Sequence, residues 1–365
     1  MTNHRMEEQK RPKGEETTPI KAPKNATLEQ LRGKHKNSGQ GGLSAQEAKS
    51  MILLGNKNHQ EKLADSGTPP QRRYEKIMDG EADYVIIFCS DARNATLDSE
   101  QDGEKLVGVH IRIAGNVIPF EGVSLDEIKD VISKLKPDGD LIIMAHCKCG
   151  AVGEHVKWNQ AGQPDTGSEP LNALLHAVFG ETPQENAMAQ YETLKSLVGP
   201  DRKITVMMYD WEDGSVEILS PEASETARLL KSKLERFHQE ADSDGKLGER
   251  LSETQKPHTT VVASNLMPFS IDTVCDAEQN ELFATTGSEG GLDHYDEASA
   301  LYAAEHLGPK HIAFIAPMAA GMEKMFDRWE ADLRSMPQVA EKLDSGAIKI
   351  TRLGYNLSNG ALQEV

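Results

Sequence analysis

The sequence predicts an α/β fold in which a mostly parallel sheet is flanked by helices. Two observations predict it. Short apolar runs rich in β-branched residues alternate with amphipathic segments, and the same order of segments returns later in the chain. Alternation of this kind is typical of sheets whose two faces are both covered by helices. We therefore expect two related halves, each built around its own sheet.

Four apolar runs predict buried strands. Each is short and carries little charge, as expected of a strand covered on both faces; they span 83–89, 107–113, 140–145 and 203–209. Apolar residues at helical spacing predict helices over 43–64, 124–135, 169–179 and 183–197. Ser124 is the expected N-cap of the second helix, because Glu127 stands three positions on. Pro137-Asp138-Gly139 is expected to form a turn.

Charge and composition divide the chain into regions. Residues 1–45 hold nine Lys or Arg and five Asp or Glu, a net charge of +4, whereas the whole chain carries −18. We expect 1–42 to be a disordered basic tail, which is either a solvated extension or a tether for an acidic protein partner. A domain over 43–239, a polar linker over 240–256 and a second domain over 257–365 follow.

Composition also excludes several classes of function. The net charge of −18 argues against nucleic-acid binding, and no apolar run is long enough to span a membrane. Residues 1–13 lack an apolar signal core, so we expect a cytoplasmic protein. The four cysteines are too few and too clustered for a disulfide framework, which indicates a reducing compartment; they are Cys89, Cys147, Cys149 and Cys275.

The second domain repeats the first in a degenerate form. Four blocks match in unchanged order: 85–89 with 260–264, 113–115 with 285–287, 141–150 with 312–321, and 203–216 with 349–362. Chance similarity among apolar strands explains any one block, but four in order favour a duplication. The offset between the copies falls from 171 to 146, so the second copy lacks about 25 residues of the region 151–200.

Metal-ligating side chains stand at the ends of two predicted strands. Cys89 ends the first strand, His146 ends the third, and Cys149 follows one turn later. Each alone is compatible with a core position. Together they predict a zinc site, because thiolate and imidazole are ligands that zinc prefers. A water at the open fourth position would ionise at about pH 7 and give a hydroxide nucleophile.

Asp91 and Arg93 follow the first thiolate and predict an acid–base dyad beside the metal. Arg93 can pair with Asp91 through two hydrogen bonds, which would lower the pKa of the carboxyl group. Asp91 either orients the zinc-bound water or ligates zinc and closes the site, and a plain ion pair is a third reading. Cys147 is a spare candidate ligand, but neighbouring side chains point in different directions, so we expect it to be a bystander.

The second copy lacks these groups. In the repeat alignment the ligand and dyad positions are occupied by Ser264, Leu266, Pro268, Pro317 and Ala320. Proline and alanine offer no metal-binding atom. We therefore expect one metal site per chain and a second copy without catalysis.

The motifs Cys-x-Asp-x-Arg, from Cys89, and His-x-x-Cys-Gly, from His146, resemble those of the β-class carbonic anhydrases, and 57 residues separate them. Two further segments are similar to family motifs. They are Arg112-Ile113-Ala114-Gly115-Asn116, which departs from the family's Arg-Asn-Ala-Gly-Asn at Ile113, and Leu53-Leu54-Gly55-Asn56. The resemblance covers 45–235 well and 257–365 as a decayed copy.

The resemblance implies a zinc enzyme that interconverts carbon dioxide and bicarbonate. Cys89, His146 and Cys149 would be its zinc ligands, and Asp91 and Arg93 its dyad. The family's basic unit is a dimer with sites near the interface, so a tandem repeat implies an internal pseudo-dimer, and such chains are expected to form homo-oligomers. A glutamine that the family donates across the interface has no assigned match in this sequence.

Other functions stay open at this point. The order of extension, active copy and inactive copy resembles the layout of carboxysomal shell carbonic anhydrases, which implies a carbon-fixing microcompartment. The same zinc chemistry would serve a hydrolase of carbonyl sulfide or carbon disulfide, and the sequence does not separate these substrates. An alternative of another class is a non-catalytic scaffold or bicarbonate sensor.

Overall fold

The computed structural model describes residues 26–37, 42–66, 69–94, 106–118, 122–252 and 255–365. The predicted α/β class is confirmed: two five-stranded, mostly parallel sheets are flanked by helices. The first sheet contains β1 (Ala82–Phe88), β2 (Gly108–Arg112), β3 (Leu135–His146), β4 (Ile204–Tyr209) and β5 (Val216–Ile218). Its order is β2-β1-β3-β4-β5, and all neighbours are parallel except β4 and β5.

The second sheet has the same topology as the first. It contains β6 (Thr259–Ser264), β7 (Leu282–Gly287), β8 (His311–Pro317), β9 (Lys349–Tyr355) and β10 (Leu362–Glu364). Its order is β7-β6-β8-β9-β10, again with an antiparallel pair, β9 and β10, at one edge. The two halves therefore place corresponding strands in corresponding positions.

Thirteen described α-helices surround the sheets. Before the first sheet come α1 (Leu28–Asn37), α2 (Ala45–Ser66) and α3 (Pro70–Met78). The first half continues with α4 (Gly122–Ser133), α5 (Gly150–Gln160), α6 (Glu169–Ala177), α7 (Pro183–Val198), α8 (Glu225–Ala241) and α9 (Leu247–Ser252). The second half holds α10 (Ile271–Val274), α11 (His294–Tyr302), α12 (Met322–Ser335) and α13 (Pro337–Asp344). Within these described ranges, no helix is both long and apolar enough to cross a bilayer.

Strand register relates the two sheets residue by residue. In the first sheet Val85 pairs with Leu141, as Thr260 pairs with Ile312 in the second. At the β2 edge the relation differs, because Val85 pairs with Val109 while Thr260 pairs with Phe283. The predicted match of 113–115 with 285–287 is thus displaced by two residues. An even displacement keeps every side chain on its own face of the sheet.

The central strands are buried on both faces, as their apolar sequences predict. Val85 and Ile87 of β1 belong to one hydrophobic cluster, and Ile86 and Phe88 to the cluster on the opposite face. A strand interior of this kind contributes roughly 2 kcal/mol for each large apolar side chain removed from water. The first strand is therefore a rigid base for the residue that follows it, Cys89.

The two halves meet along the edges formed by β2 and β7. The Arg112 N–H donates to Thr286 Oγ1 at 3.2 Å, and the Arg112 carbonyl accepts from Thr285 Oγ1 at 3.1 Å. The Arg112 guanidinium forms a buried ion pair with Asp272. Helix α2 also crosses to the second half, where Gly55 approaches the Cys275 carbonyl so closely that a Cβ would lie 1.8 Å from it.

Several expectations about segments are corrected. The prediction of disorder over 1–42 is wrong for α1, which buries Leu28, Leu31 and Arg32, whereas 1–25 and 38–41 lie outside the described residues. The expected linker 240–256 contains α9, which packs Leu247 and Leu251 into the core. Helix α4 begins at Gly122, so Ser124 is not its N-cap. The expected turn at 137–139 belongs to β3, whose register against β1 is irregular there.

Candidate metal centre

Two adjacent parallel strands and one helix bring the three predicted ligands together. Cys89 directly follows β1, and His146 is the last residue of the neighbouring β3. Cys149 is the N-cap of α5, whose first residue is Gly150. Because the carboxyl ends of parallel strands share one edge of the sheet, residues distant in sequence converge there.

The geometry of this cluster fits a zinc ion. The ligand atoms of Cys89, His146 and Cys149 lie within 4.8 Å of one another, and all three residues are buried. The two sulfur atoms are 3.8 Å apart. Two zinc–sulfur bonds of about 2.3 Å at a tetrahedral angle require about the same separation. The donor set and its spacing are therefore those of a three-ligand zinc site.

The imidazole of His146 is oriented toward the thiols. Its Nδ1 donates to the Cys147 carbonyl at 2.9 Å, which leaves Nε2 without a proton and available as a ligand. Nε2 is buried and has no hydrogen-bond partner within the described residues. Burial without a partner is costly for a polar atom, so a metal at this position would satisfy it.

The thiols are also held in place. The Gly115 N–H donates to Cys89 Sγ at 3.3 Å, and Gly115 has a positive φ of 72° that favours glycine. The hydrogen bond to Cys149, together with burial, raises the pKa of Cys89 far above its usual range, whereas the same bond lowers the pKa of Cys149. A bound cation would favour the ionised form of both thiols.

The predicted dyad is a buried ion pair beside the cluster. Arg93 Nε donates to Asp91 Oδ1 at 2.9 Å, and Arg93 Nη2 donates to Asp91 Oδ2 at 2.5 Å. The Arg93 N–H adds a third bond to Oδ1 at 2.9 Å. Although burial alone would raise it, His146 and Arg93 hold the pKa of Asp91 below its usual range. Asp91 Oδ2 lies 3.7 Å from His146 Nε2, so the carboxylate faces the space beside the ligands.

Arg93 is held in place by further groups that the sequence did not predict. Its guanidinium stacks on the Trp211 ring at 4.6 Å, and Trp211 Nε1 donates to the Cys147 carbonyl at 2.9 Å. Arg93 Nη2 also donates to the Lys148 carbonyl at 3.1 Å. A planar guanidinium stacked and bonded in this way has little freedom to rotate away from its carboxylate.

Gln255 completes the surroundings of Asp91. Its Nε2 donates to Asp91 Oδ2 at 2.9 Å, and its Oε1 accepts from the Ala92 N–H at 3.2 Å. Gln255 lies in the segment interpreted as a linker, and its side chain is buried. No motif surrounds it in the sequence, so only the fold shows that it meets the dyad.

A cavity of about 380 Å³ opens beside the cluster. Its wall is mostly apolar and comes from both halves: Trp158, Leu171 and Leu174 from the first, and Phe283 and Tyr302 from the second. Cys89, Asp91 and Gln255 also line it. Helix α6, which carries the two leucines, packs against α11 of the second half. The site is therefore lined by residues of both halves.

Other predicted residues lie apart from the cluster. Cys147 is grouped with Asp210 and Glu212, and burial with the nearby Asp210 raises its pKa to about 12. Ile113 lies in the core of the first half.

At the corresponding edge of the second sheet, Ser264 Oγ accepts from the Leu266 N–H at 3.2 Å. The second half thus has a local turn where the first has a candidate ligand.

No protein-family model and no curated protein matches the chain. Among solved structures, the chain is similar to the β-carbonic anhydrase CcaA, with 20% identity over 38% of this chain and 80% of that chain, and a TM-score of 0.29. For a Coccomyxa β-carbonic anhydrase in complex with acetazolamide, the identity is 12%, the coverage 39% and 87%, and the TM-score 0.32. For the apo form of a carbon disulfide hydrolase they are 17%, 40% and 84%, and 0.28. Similarities this low carry no argument about function.

Proposed function

We propose that the protein is a zinc-dependent carbonic anhydrase of the β type, with one active site per chain. The observation that carries the proposal is the buried cluster of Cys89, His146 and Cys149 beside the pair of Asp91 and Arg93. Its substrates are carbon dioxide and bicarbonate. When bound, zinc supplies the Lewis acid that polarises water for attack on carbon dioxide at neutral pH.

The chain's own residues divide the remaining work. The apolar wall admits a small neutral molecule such as carbon dioxide and excludes bulk water. Asp91 is an anion beside the ligand atom of His146, where its charge, rather than a further hydrogen bond, acts on the attacking water. Gln255 donates one amide N–H to Asp91, and its second amide N–H can donate to an oxygen of the substrate.

The contacts of Asp91 support a site whose fourth position stays open. Arg93 and Gln255 give it four hydrogen bonds, two to each oxygen. A carboxylate offers about four acceptor sites. Direct ligation of zinc would break at least one of these bonds, so Asp91 is held off the metal.

We also propose that the chain is a tandem repeat whose second copy has lost catalysis. Support comes from the identical strand order of the two sheets and from the matching register of their central strands. Ser264 and Pro317 end the strands that correspond to β1 and β3. The second copy instead contributes Phe283 and Tyr302 to the wall of the single site.

A second candidate function is hydrolysis of carbonyl sulfide or carbon disulfide. These linear, neutral molecules would suit the same apolar cavity and the same polar groups at its base. The two functions differ in product, so sulfide release and bicarbonate formation can be measured side by side on one preparation.

The test of the proposal is stopped-flow hydration of carbon dioxide by the purified, zinc-loaded protein at mildly alkaline pH. We expect a rate well above the buffer background that falls to background when a chelator strips the metal. A protein that holds zinc in full stoichiometry and shows no hydration would contradict the proposal. Faster sulfide release than hydration would favour the second candidate.

A further inference from the structure

We propose that the loop 276–281 of the second half positions the catalytic dyad of the first half, and that α1 secures this loop through Arg32. The inference rests on the proposed function, because it assigns work to Asp91 and Arg93. It makes Arg32, Gln279 and Asn280 positioning residues, since none of them lines the cavity beside the cluster. It also gives the second half a task besides walling the pocket.

The backbone carbonyl groups of the dyad segment, 90–94, are held largely by the second half. The Asn280 N–H donates to the Ala92 carbonyl at 2.6 Å, and Gln279 Nε2 donates to the Arg93 carbonyl at 2.8 Å. The Ala284 N–H donates to the Ser90 carbonyl at 3.3 Å. Both residues that flank Asp91 are thus tied to the other half of the molecule.

The conformation and contacts of the loop 276–281 present these donors to the dyad segment. Asn280 has a positive φ of 72°, a left-handed conformation that asparagine tolerates better than most residues. Its Oδ1 accepts from the Lys256 N–H at 3.0 Å, next to Gln255. Gln279 Nε2 also donates to the Tyr209 hydroxyl at 3.0 Å. The loop therefore joins the dyad segment to β4 and to the segment that carries Gln255.

The loop is anchored by the guanidinium of Arg32. Arg32 of α1 and Glu281 are both buried, and Arg32 Nε donates to Glu281 Oε1 at 3.1 Å. Arg32 Nη2 donates to the Asp276 carbonyl, so one guanidinium holds both ends of the loop. Glu281 Oε2 accepts from the Glu278 N–H at 2.9 Å. Loss of Arg32 would remove the donor to Glu281 and the donor to the Asp276 carbonyl, so both ends of the loop would lose their anchor.

The consequence is a chain of contacts from α1 to the dyad. Arg32 fixes the loop, the loop fixes the carbonyls beside Asp91, and Asp91 faces the ligand atom of His146. A misplacement of about 1 Å at reacting groups can cost about 100-fold in rate. Loosening a contact far from the cavity should therefore slow catalysis without removing the metal.

The experiment compares Arg32→Ala and Gln279→Ala with the wild type and with Lys49→Ala. Lys49 is a matched control, because it forms an ion pair at 2.7 Å between α2 and Glu364 of the second half, away from the loop. Zinc per chain, kcat, KM and amide hydrogen exchange of 90–94 are measured for each. Gln279→Ala removes only a side-chain donor, so it tests the idea even if Arg32→Ala folds poorly.

We expect both loop variants to keep zinc, to exchange faster over 90–94 and to lose about 10- to 100-fold in kcat with little change in KM. Arg32→Lys should recover part of the loss. Lys49→Ala should match the wild type over 90–94 and in kcat. Unchanged exchange over 90–94 in both loop variants would overturn the inference. If the wild type itself fails to hydrate carbon dioxide, the proposed function fails, while the exchange data still decide whether the loop holds the segment.

Discussion

The carboxyl ends of the two sheets differ although the sheets have the same strand order. In the first half, Cys89 directly follows β1 and His146 ends β3, and both meet Cys149 in a buried cluster. In the second half, β6 and β8 end at Ser264 and Pro317. The second sheet thus forms without these side chains at its carboxyl edge. The fold depends on the buried strands, whereas the proposed chemistry depends on the few residues at their ends.

The second half nevertheless makes contacts with the candidate site of the first. Phe283 and Tyr302 line the cavity, and Asn280 and Gln279 hold the dyad segment. The second half therefore contributes directly to the surroundings of the candidate site. Substitutions in the first half should remove the chemistry, whereas substitutions that weaken the contacts from the second half should reduce it.

The largest effect is expected for Cys149→Ser, because serine offers a harder and weaker donor to zinc than a thiolate. The variant should lose its metal, and hydration should fall to background. Metal analysis of the dialysed protein, together with stopped-flow hydration, checks this.

Cys147→Ser and Cys275→Ser are the matched controls, since neither thiol belongs to the cluster. Both should keep zinc and activity. Loss of zinc from Cys147→Ser would mean that the ligand set has been assigned incorrectly.

Asp91→Asn should have the next largest effect. The substitution keeps the shape of the side chain but removes the anion that faces the site and pairs with Arg93. We expect kcat to fall by about 100- to 1,000-fold while zinc content stays the same. Leu266→Ala, at the aligned position of the second half, is the control and should leave kcat nearly unchanged. Equal losses of kcat in the two variants would contradict the assignment of catalysis to the first half.

Gln255→Ala should have a smaller effect. It removes one hydrogen bond to a charged oxygen and one from the Ala92 N–H, which corresponds to a loss of about 10- to 100-fold in kcat/KM. Gln255→Glu should be worse than Gln255→Ala, because a second carboxylate beside Asp91 would raise the pKa of both. The pH profiles of kcat/KM distinguish the two variants. A Gln255→Glu enzyme as active as the wild type would argue against a donor role.

The smallest effect on activity is expected for a change that concerns stability alone, and this change lies in the second half. Burial outweighs Arg32 and raises the pKa of Glu281 from 4.5 to about 7. The folded protein therefore holds this proton more tightly than the unfolded chain does. The resulting stabilisation is complete below pH 4.5 and is lost as the pH rises to about 7, a change on the order of 3 kcal/mol.

The free energy of unfolding, measured in urea across this pH range for the wild type and Glu281→Gln, checks the prediction. The difference between the two proteins should change with pH only between those two values. A constant difference would show that Glu281 does not titrate in this window.

The sequence predicted what depends on local pattern. The four buried strands follow from apolar runs, and the three candidate ligands stand at or just beyond the ends of two of them. The dyad was also predictable, because Asp91 and Arg93 are close enough in sequence to pair without help from the fold.

The rest depends on contacts between distant segments. Gln255 and Trp211 reach the dyad only because α9 and β4 bring them there, and no motif marks either residue. Helix α1 was interpreted as disordered because its segment is charged and short of aromatic residues. It is stabilised instead by burying Leu31 and by pairing Arg32 with Glu281 across the molecule.

The central claim is that the chain holds one catalytic zinc, in its first half. Anomalous diffraction at the zinc absorption edge, on crystals of zinc-loaded protein, tests it most directly. We predict a single peak between Cys89, His146 and Cys149. A peak beside Ser264 and Pro317, or one beside Cys147 and Asp210 in place of the predicted one, would contradict the account.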